Sequence, residues 1–119
     1  MNTYEVPSLI EDELPEIKEQ LKDKNLTGNI NATMLLLARY TRSMMNIHDL
    51  PAVVKCMSLA DKIYEKGNSL VKNAVENVFV YAFSGIRACC DRLEWRTIQA
   101  KMPITLHSIY IRQIYRSGI

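Results

Sequence analysis

Apolar positions recur every three or four residues along nearly the whole chain, and no stretch sustains a two-residue alternation. At 3.6 residues per turn such spacing places apolar side chains on one helical face, whereas a half-buried strand alternates every second residue. The predicted fold class is therefore all-α, a compact irregular bundle of about five to six helices with stacked αα-hairpins. The first predicted helix opens at Ser8, with Glu11 completing a capping-box pattern and Ile10, Leu14, Ile17 and Leu21 as its stripe. Pro15 interrupts that stripe without shifting its phase, which predicts a kinked helix or two short coaxial ones. Asn25-Leu26-Thr27-Gly28-Asn29 reads as a loop.

A second helix is predicted from about Asn31 to Asn46, with Ile30, Met34, Leu37, Ala38, Thr41 and Met45 on one face and Arg39 and Arg42 on the other. Asp49 is an N-cap with Pro51 in the first turn, and a third helix follows, carrying Val53, Met57, Ala60 and Ile63 and ending with Gly67 as a C′ residue. Asn68 or Ser69 caps a fourth, apolar around most of its circumference from Leu70 to Ile86, which places it centrally. Joined through Gly67-Asn68, the third and fourth form an αα-hairpin of the kind that stacks in solenoids. A fifth, roughly Asp91 to Lys101, presents Trp95 and Ile98, and a sixth opens at Pro103 with Leu106, Ile109, Tyr110 and Ile114. No second copy of any segment recurs at a period of roughly 33 to 45 residues, so a repeat array is not indicated.

Length and composition narrow the class further. At 119 residues the expectation is one domain over residues 1–119, and an apolar share of 48% with 24% charged residues suits a globular chain rather than a disordered one. The longest apolar runs, Met34 to Ala38 and Val78 to Phe83, fall far short of the roughly 20 residues of a membrane span. The amino terminus carries neither a basic leader nor an apolar stretch, so the expected location is the cytosol. Cys56, Cys89 and Cys90 are odd in number and lack Cys-x-x-Cys spacing, which points to reduced thiols rather than disulfides or a zinc site.

Charge is unevenly distributed. Residues 1–24 hold seven acids against three lysines, net −4, while residues 87–119 hold six bases against Asp91 and Glu94, net +4. The two ends either pair with each other or leave a separate basic surface, and Glu13, Glu16 and Glu19 are the candidate partners for the arginines. Arg92 and Arg96, and likewise Arg112 and Arg116, stand four apart and share helix faces, with Trp95, Tyr110 and Tyr115 interleaved. Arginines among aromatics serve as anchors in protein interfaces, or clamp phosphates and stack on bases. The candidate binding residues are therefore Arg87, Arg92, Trp95, Arg96, Arg112 and Arg116. A second polar strip, Asn73, Glu76 and Asn77, lies on the otherwise apolar fourth helix, either as its sliver of exposure or as the lining of a groove.

Signals for chemistry are sparse. His48 and His107 lie far apart and show no metal-ligand spacing, and no phosphate-binding glycine loop is present, so no metal and no cofactor is expected. Cys89-Cys90, between Arg87 and Arg92, is the candidate reactive thiol, although no nucleophile elbow or protease signature surrounds it. The expectation is a protein without enzymatic activity.

Through Leu50-Pro-Ala-Val-Val-Lys to Gly67-Asn68, Val71-Lys-Asn-Ala-Val-Glu-Asn-Val-Phe-Val-Tyr-Ala-Phe, and Met102-Pro103, the chain resembles small uncharacterised all-α bacterial proteins with a HEAT- or armadillo-like hairpin. Some of these look like immunity proteins, which neutralise a toxin by binding it. The resemblance implies a protein-interaction module, monomeric or homodimeric, with an unknown protein partner. The alternative from the arginines is weak nucleic-acid binding.

Overall fold

The computed structural model describes residues 1–117, whose regular elements are all helices, with no β-strand among them. The all-α class holds, and each helix begins and ends for a local reason. Helix α1 spans Val6–Glu13, opening two residues ahead of Ser8. Pro7 lies in its first turn, where a missing N–H is no loss, so the helix starts upstream and Ser8 caps nothing. Asn2 Oδ1 instead accepts from the backbone N–H of Tyr4 and Glu5 at 2.9 and 3.1 Å. Pro15 excludes the helical region at the preceding residue, and Leu14 sits at φ −130°, ψ 71°. The chain resumes as a 3₁₀ turn, Pro15–Ile17, and a single α-turn, α2, Lys18–Leu21. Of the two expected outcomes at Pro15, separate short pieces are what the backbone adopts. Ile10, Leu14, Ile17 and Leu21 all remain buried.

Helix α3 (Ile30–Asn46) is capped by Asn29, whose Oδ1 accepts from Ala32 N–H at 3.0 Å. Its buried stripe is the predicted one, Ile30, Met34, Leu37, Ala38, Thr41 and Met45, joined by Thr33. The two buried threonines are satisfied within the helix, donating to Asn29 O and Leu37 O at 3.1 and 2.8 Å. Helix α4 (Leu50–Lys66) is capped by Asp49 at 3.2 Å from Ala52 N. Gly67 ends it as expected, in extended backbone at φ −77°, ψ 152°. What requires glycine is space, because a Cβ there would lie 2.5 Å from Val71 Cγ1 and 2.8 Å from Ile63 O.

The predicted fourth helix is not uniform. After α5 (Ser69–Ala74) the winding loosens into a π turn, Val75–Phe79, tightens into a 3₁₀ turn, Val80–Ala82, and returns to α-helix as α6 (Phe83–Ala88). Across the π turn Val80 N–H reaches back five residues to Val75 O. This segment is central as predicted, packed on α3 and α4, and Val71, Val75, Phe79, Val80, Phe83 and Ile86 are buried. Leu70, counted in the apolar set, is 63% exposed. Helices α7 (Arg92–Lys101) and α8 (Ile104–Ser117) close the bundle against α4 and the 3₁₀ turn. One apolar cluster runs from Val6 to Tyr110. Among the described residues no helix is long and apolar enough to cross a membrane.

Candidate functional site

Helix α7 is fixed at its start by a reciprocal cap. Asp91 Oδ1 accepts from Glu94 N–H at 2.8 Å, and Glu94 Oε1 accepts from Asp91 N–H at 3.1 Å. The other Glu94 oxygen lies 2.7 Å from Nδ1 of His48, a residue held at φ 59° between α3 and α4. Both acids adjoining the arginines are thereby committed to positioning the helix.

Beyond the cap, Arg92, Arg96 and Gln99 fall within about 60° of one another around the α7 axis and form a row. Trp95 and Ile98 turn inward and are buried. Arg87, in the last turn of α6, lays its guanidinium over the Trp95 ring, 5.9 Å from the centroid. Tyr110 and Ile114, one turn apart on α8, form the opposite wall. Together these groups enclose a cleft of about 250 Å³. Its rim is cationic and its floor aromatic.

That floor belongs to the core. Trp95 is 8% exposed and Tyr110 5%. Trp95 meets Tyr110 edge-on at 5.7 Å between centroids, Tyr110 meets Phe83 at 6.0 Å, and Phe83 meets Phe79 at 5.4 Å. Trp95, expected on the binding surface, thus contributes mainly to the aromatic interior and only an edge to the cleft.

Arg112 and Arg116 do not join this cleft. They lie roughly opposite Tyr110 and Ile114 on α8 and line a second hollow of about 190 Å³ with Glu76, Asn77 and Gln113. Arg112 Nη2 donates to Glu76 Oε1 at 2.6 Å, and Gln113 Nε2 donates to the Glu76 carbonyl at 2.7 Å. One residue of the predicted polar strip, Glu76, therefore binds α8 to the π turn through both its side chain and its carbonyl, while Asn77 only lines the hollow. The six candidate residues form two separate groups, of which only Arg87, Arg92, Trp95 and Arg96 converge. Gln99, Tyr110 and Ile114 complete the cleft without having been singled out as site residues; the i, i+7 relation of Arg92 to Gln99 is the signal that points to the first of them.

The acidic amino-terminal segment does not neutralise these arginines. Glu11 pairs with Lys18 at 3.5 Å, Glu19 with Lys22 at 3.6 Å and Glu13 with Lys62 at 3.0 Å. The hydrogen bond and charge of Lys62 hold the Glu13 carboxyl below the usual carboxylate range. Among the described residues, no carboxylate comes within ion-pair distance of Arg87, Arg92, Arg96 or Arg116.

Cys56 and Cys90 are in settings that favour the neutral thiol. Burial raises Cys56 to about 11. Cys90 is also raised, first by burial and then by the nearby Glu94 and Asp91 carboxylates, which outweigh Arg87. Its Sγ donates to Arg87 O at 3.4 Å. At Cys90, the half of the candidate pair nearer the α7 cap, burial and the cap acids thus outweigh the neighbouring arginine. Among the described residues no group of three or more His, Cys, Asp or Glu side chains is placed to hold a metal ion.

The chain matches no curated protein and no solved structure. A family match extends over residues 7–116, which takes in every helix from α1 to α8, the cleft and the second hollow. The chain belongs to the DUF7674 family, a domain of unknown function.

Proposed function

We propose that the protein is a non-enzymatic protein-interaction module, an immunity-like or inhibitory binder acting in the cytosol, with the α6–α7–α8 cleft as its contact surface. The observation that carries this reading is the convergence of Arg87, Arg92 and Arg96 on one cleft with no carboxylate of the described residues within ion-pair distance of them. Arginine over a packed aromatic base is a recurrent anchor arrangement in protein interfaces. The α4–α5 hairpin is of the kind that stacks in HEAT and armadillo proteins, which is consistent with a binding role.

The test is native mass spectrometry of the tagged protein purified at low salt from its own cells, alongside the Arg92→Ala/Arg96→Ala variant. The expected result is a stoichiometric protein adduct on the parent chain that the variant loses while keeping its thermal midpoint. An adduct equally abundant on both removes the cleft from consideration. A nucleic-acid adduct replaces this reading with the alternative one.

A further inference from the structure

A site that keeps three guanidinium groups together in the free protein invites the question of which anion completes it. The acids nearest in sequence cannot do so. Asp91 and Glu94 are both held in the α7 cap, and Glu94 is additionally bound by His48. Glu76, the other acid near α8, is taken by Arg112 in the separate hollow. Among the described residues no carboxylate lies within ion-pair distance of these three guanidinium groups, which leaves the cleft open to an anion from a partner.

Size and chemistry narrow its nature. At about 250 Å³ the cleft lies below the roughly 300–1,000 Å³ of sites that enclose whole small-molecule ligands, and it suits an inserted side chain. Guanidinium groups match the two oxygens of a carboxylate through paired N–H donors, and Gln99 adds an amide donor on the same row. Stacking on bases requires open aromatic faces, which Trp95 and Tyr110 lack at 8% and 5% exposure. The charge is therefore present without the stacking surface that single-stranded nucleic acid uses. We infer that the cleft takes an aspartate or glutamate side chain presented by an acidic segment of a partner protein, a statement that rests on the interaction-module reading and specifies its partner's chemistry.

The test measures fluorescence anisotropy of fluorescein-labelled hexaglutamate at low salt, with an oligothymidylate of equal charge as competitor. Three proteins are compared: the parent, Arg92→Ala/Arg96→Ala, and Lys18→Ala/Lys22→Ala, which removes the same charge from exposed residues of the amino-terminal region. The expected result is saturable binding that weakens about tenfold or more in the arginine variant, is unchanged in the lysine variant and resists the oligonucleotide, because bidentate charge-assisted bonds are lost only in the first. Circular dichroism of both variants should match the parent. The inference is overturned if hexaglutamate does not bind, if both variants weaken alike, or if oligothymidylate displaces the peptide and is itself lost with Arg92 and Arg96. Should hexaglutamate fail while the native complex still depends on those arginines, this inference falls and the interaction reading stands. A native complex indifferent to them overturns that reading itself.

Discussion

Replacing Trp95 separates a structural role from a contact role at the one residue where sequence and structure differ most. In an interface anchor the substitution Trp95→Ala leaves stability nearly intact; in the arrangement described, it removes the link between α7 and the aromatic chain running through Tyr110, Phe83 and Phe79. A largely buried aromatic side chain removes about 150–250 Å² from water, worth about 4–6 kcal/mol at 25 cal/mol/Å² before the alanine that remains is counted. Measured Trp→Ala losses in cores are about 3–5 kcal/mol. The expected loss is about 3–4 kcal/mol, toward the lower part of that range, because the cleft above the ring lets water occupy part of the void. For a chain of 119 residues with a total stability of about 6–18 kcal/mol, this is a large fraction. Guanidinium denaturation followed by circular dichroism is the suitable assay, since Trp95 is the sole tryptophan and its fluorescence disappears with it. Trp95→Phe, which preserves an aromatic edge toward Tyr110, should lose markedly less. A loss under about 1 kcal/mol for Trp95→Ala with an unchanged denaturant slope would refute the core assignment and return the ring to the contact surface.

Gly67→Ala should destabilise by about 1–3 kcal/mol in the same assay, since its Cβ must displace Val71 or the end of α4; a neutral outcome would show that the α4–α5 turn relaxes freely. Asn29→Ala should lose about 1 kcal/mol through the missing acceptor for Ala32 N–H, whereas Ser8→Ala should lose almost nothing because Ser8 caps no helix, and equal losses would contradict the observed start of α1. Glu13 has a lowered folded-state pKa, so the unfolded chain binds the more protons and the Lys62 pair stabilises above the ordinary carboxylate pKa and is lost as pH falls through the folded value. Lys62→Met should accordingly flatten the acid side of the stability–pH curve, and an identical acid limb would show that the pair contributes nothing. Alkylation followed by mass spectrometry should label Cys56 only in denaturant, because burial both excludes the reagent and raises its thiol to about 11; native labelling at neutral pH would contradict that packing.

Much of the helical framework is legible in periodicity and caps because those signals are local. Asn29, Asp49, Asn68 and Asp91 each accept from a backbone N–H three residues ahead, and that chemistry is contained in a few adjacent residues. The α3 stripe is legible for the same reason. Local rules also compete: at Ser8 the capping-box pattern lost to Pro7, and at Gly67 the helix end is legible while the room that Val71 requires is not. The π turn at Val75–Phe79 has no local signature; it coincides with the point where α8 delivers Gln113 to Glu76 O and Arg112 to Glu76 Oε1.

The candidate site divides in the same way. Residue type and i, i+4 spacing single out Arg92 with Arg96 and Arg112 with Arg116, because a helix face follows from sequence interval alone. Whether two such faces meet depends on how α8 rolls against α7, which is set by the fit of Phe83, Trp95 and Tyr110 in the core. That roll sends Arg112 to Glu76 and leaves Arg87, Arg92 and Arg96 together. By itself the sequence determined an all-α chain, the caps at Asp49 and Asn68 and a basic carboxy-terminal third, since these rest on intervals of a few residues. Only the tertiary structure decided that Trp95 is interior, that Glu13 pairs with Lys62 and that Arg87, Arg92 and Arg96 share one cleft, since each of these depends on contacts between residues on different elements.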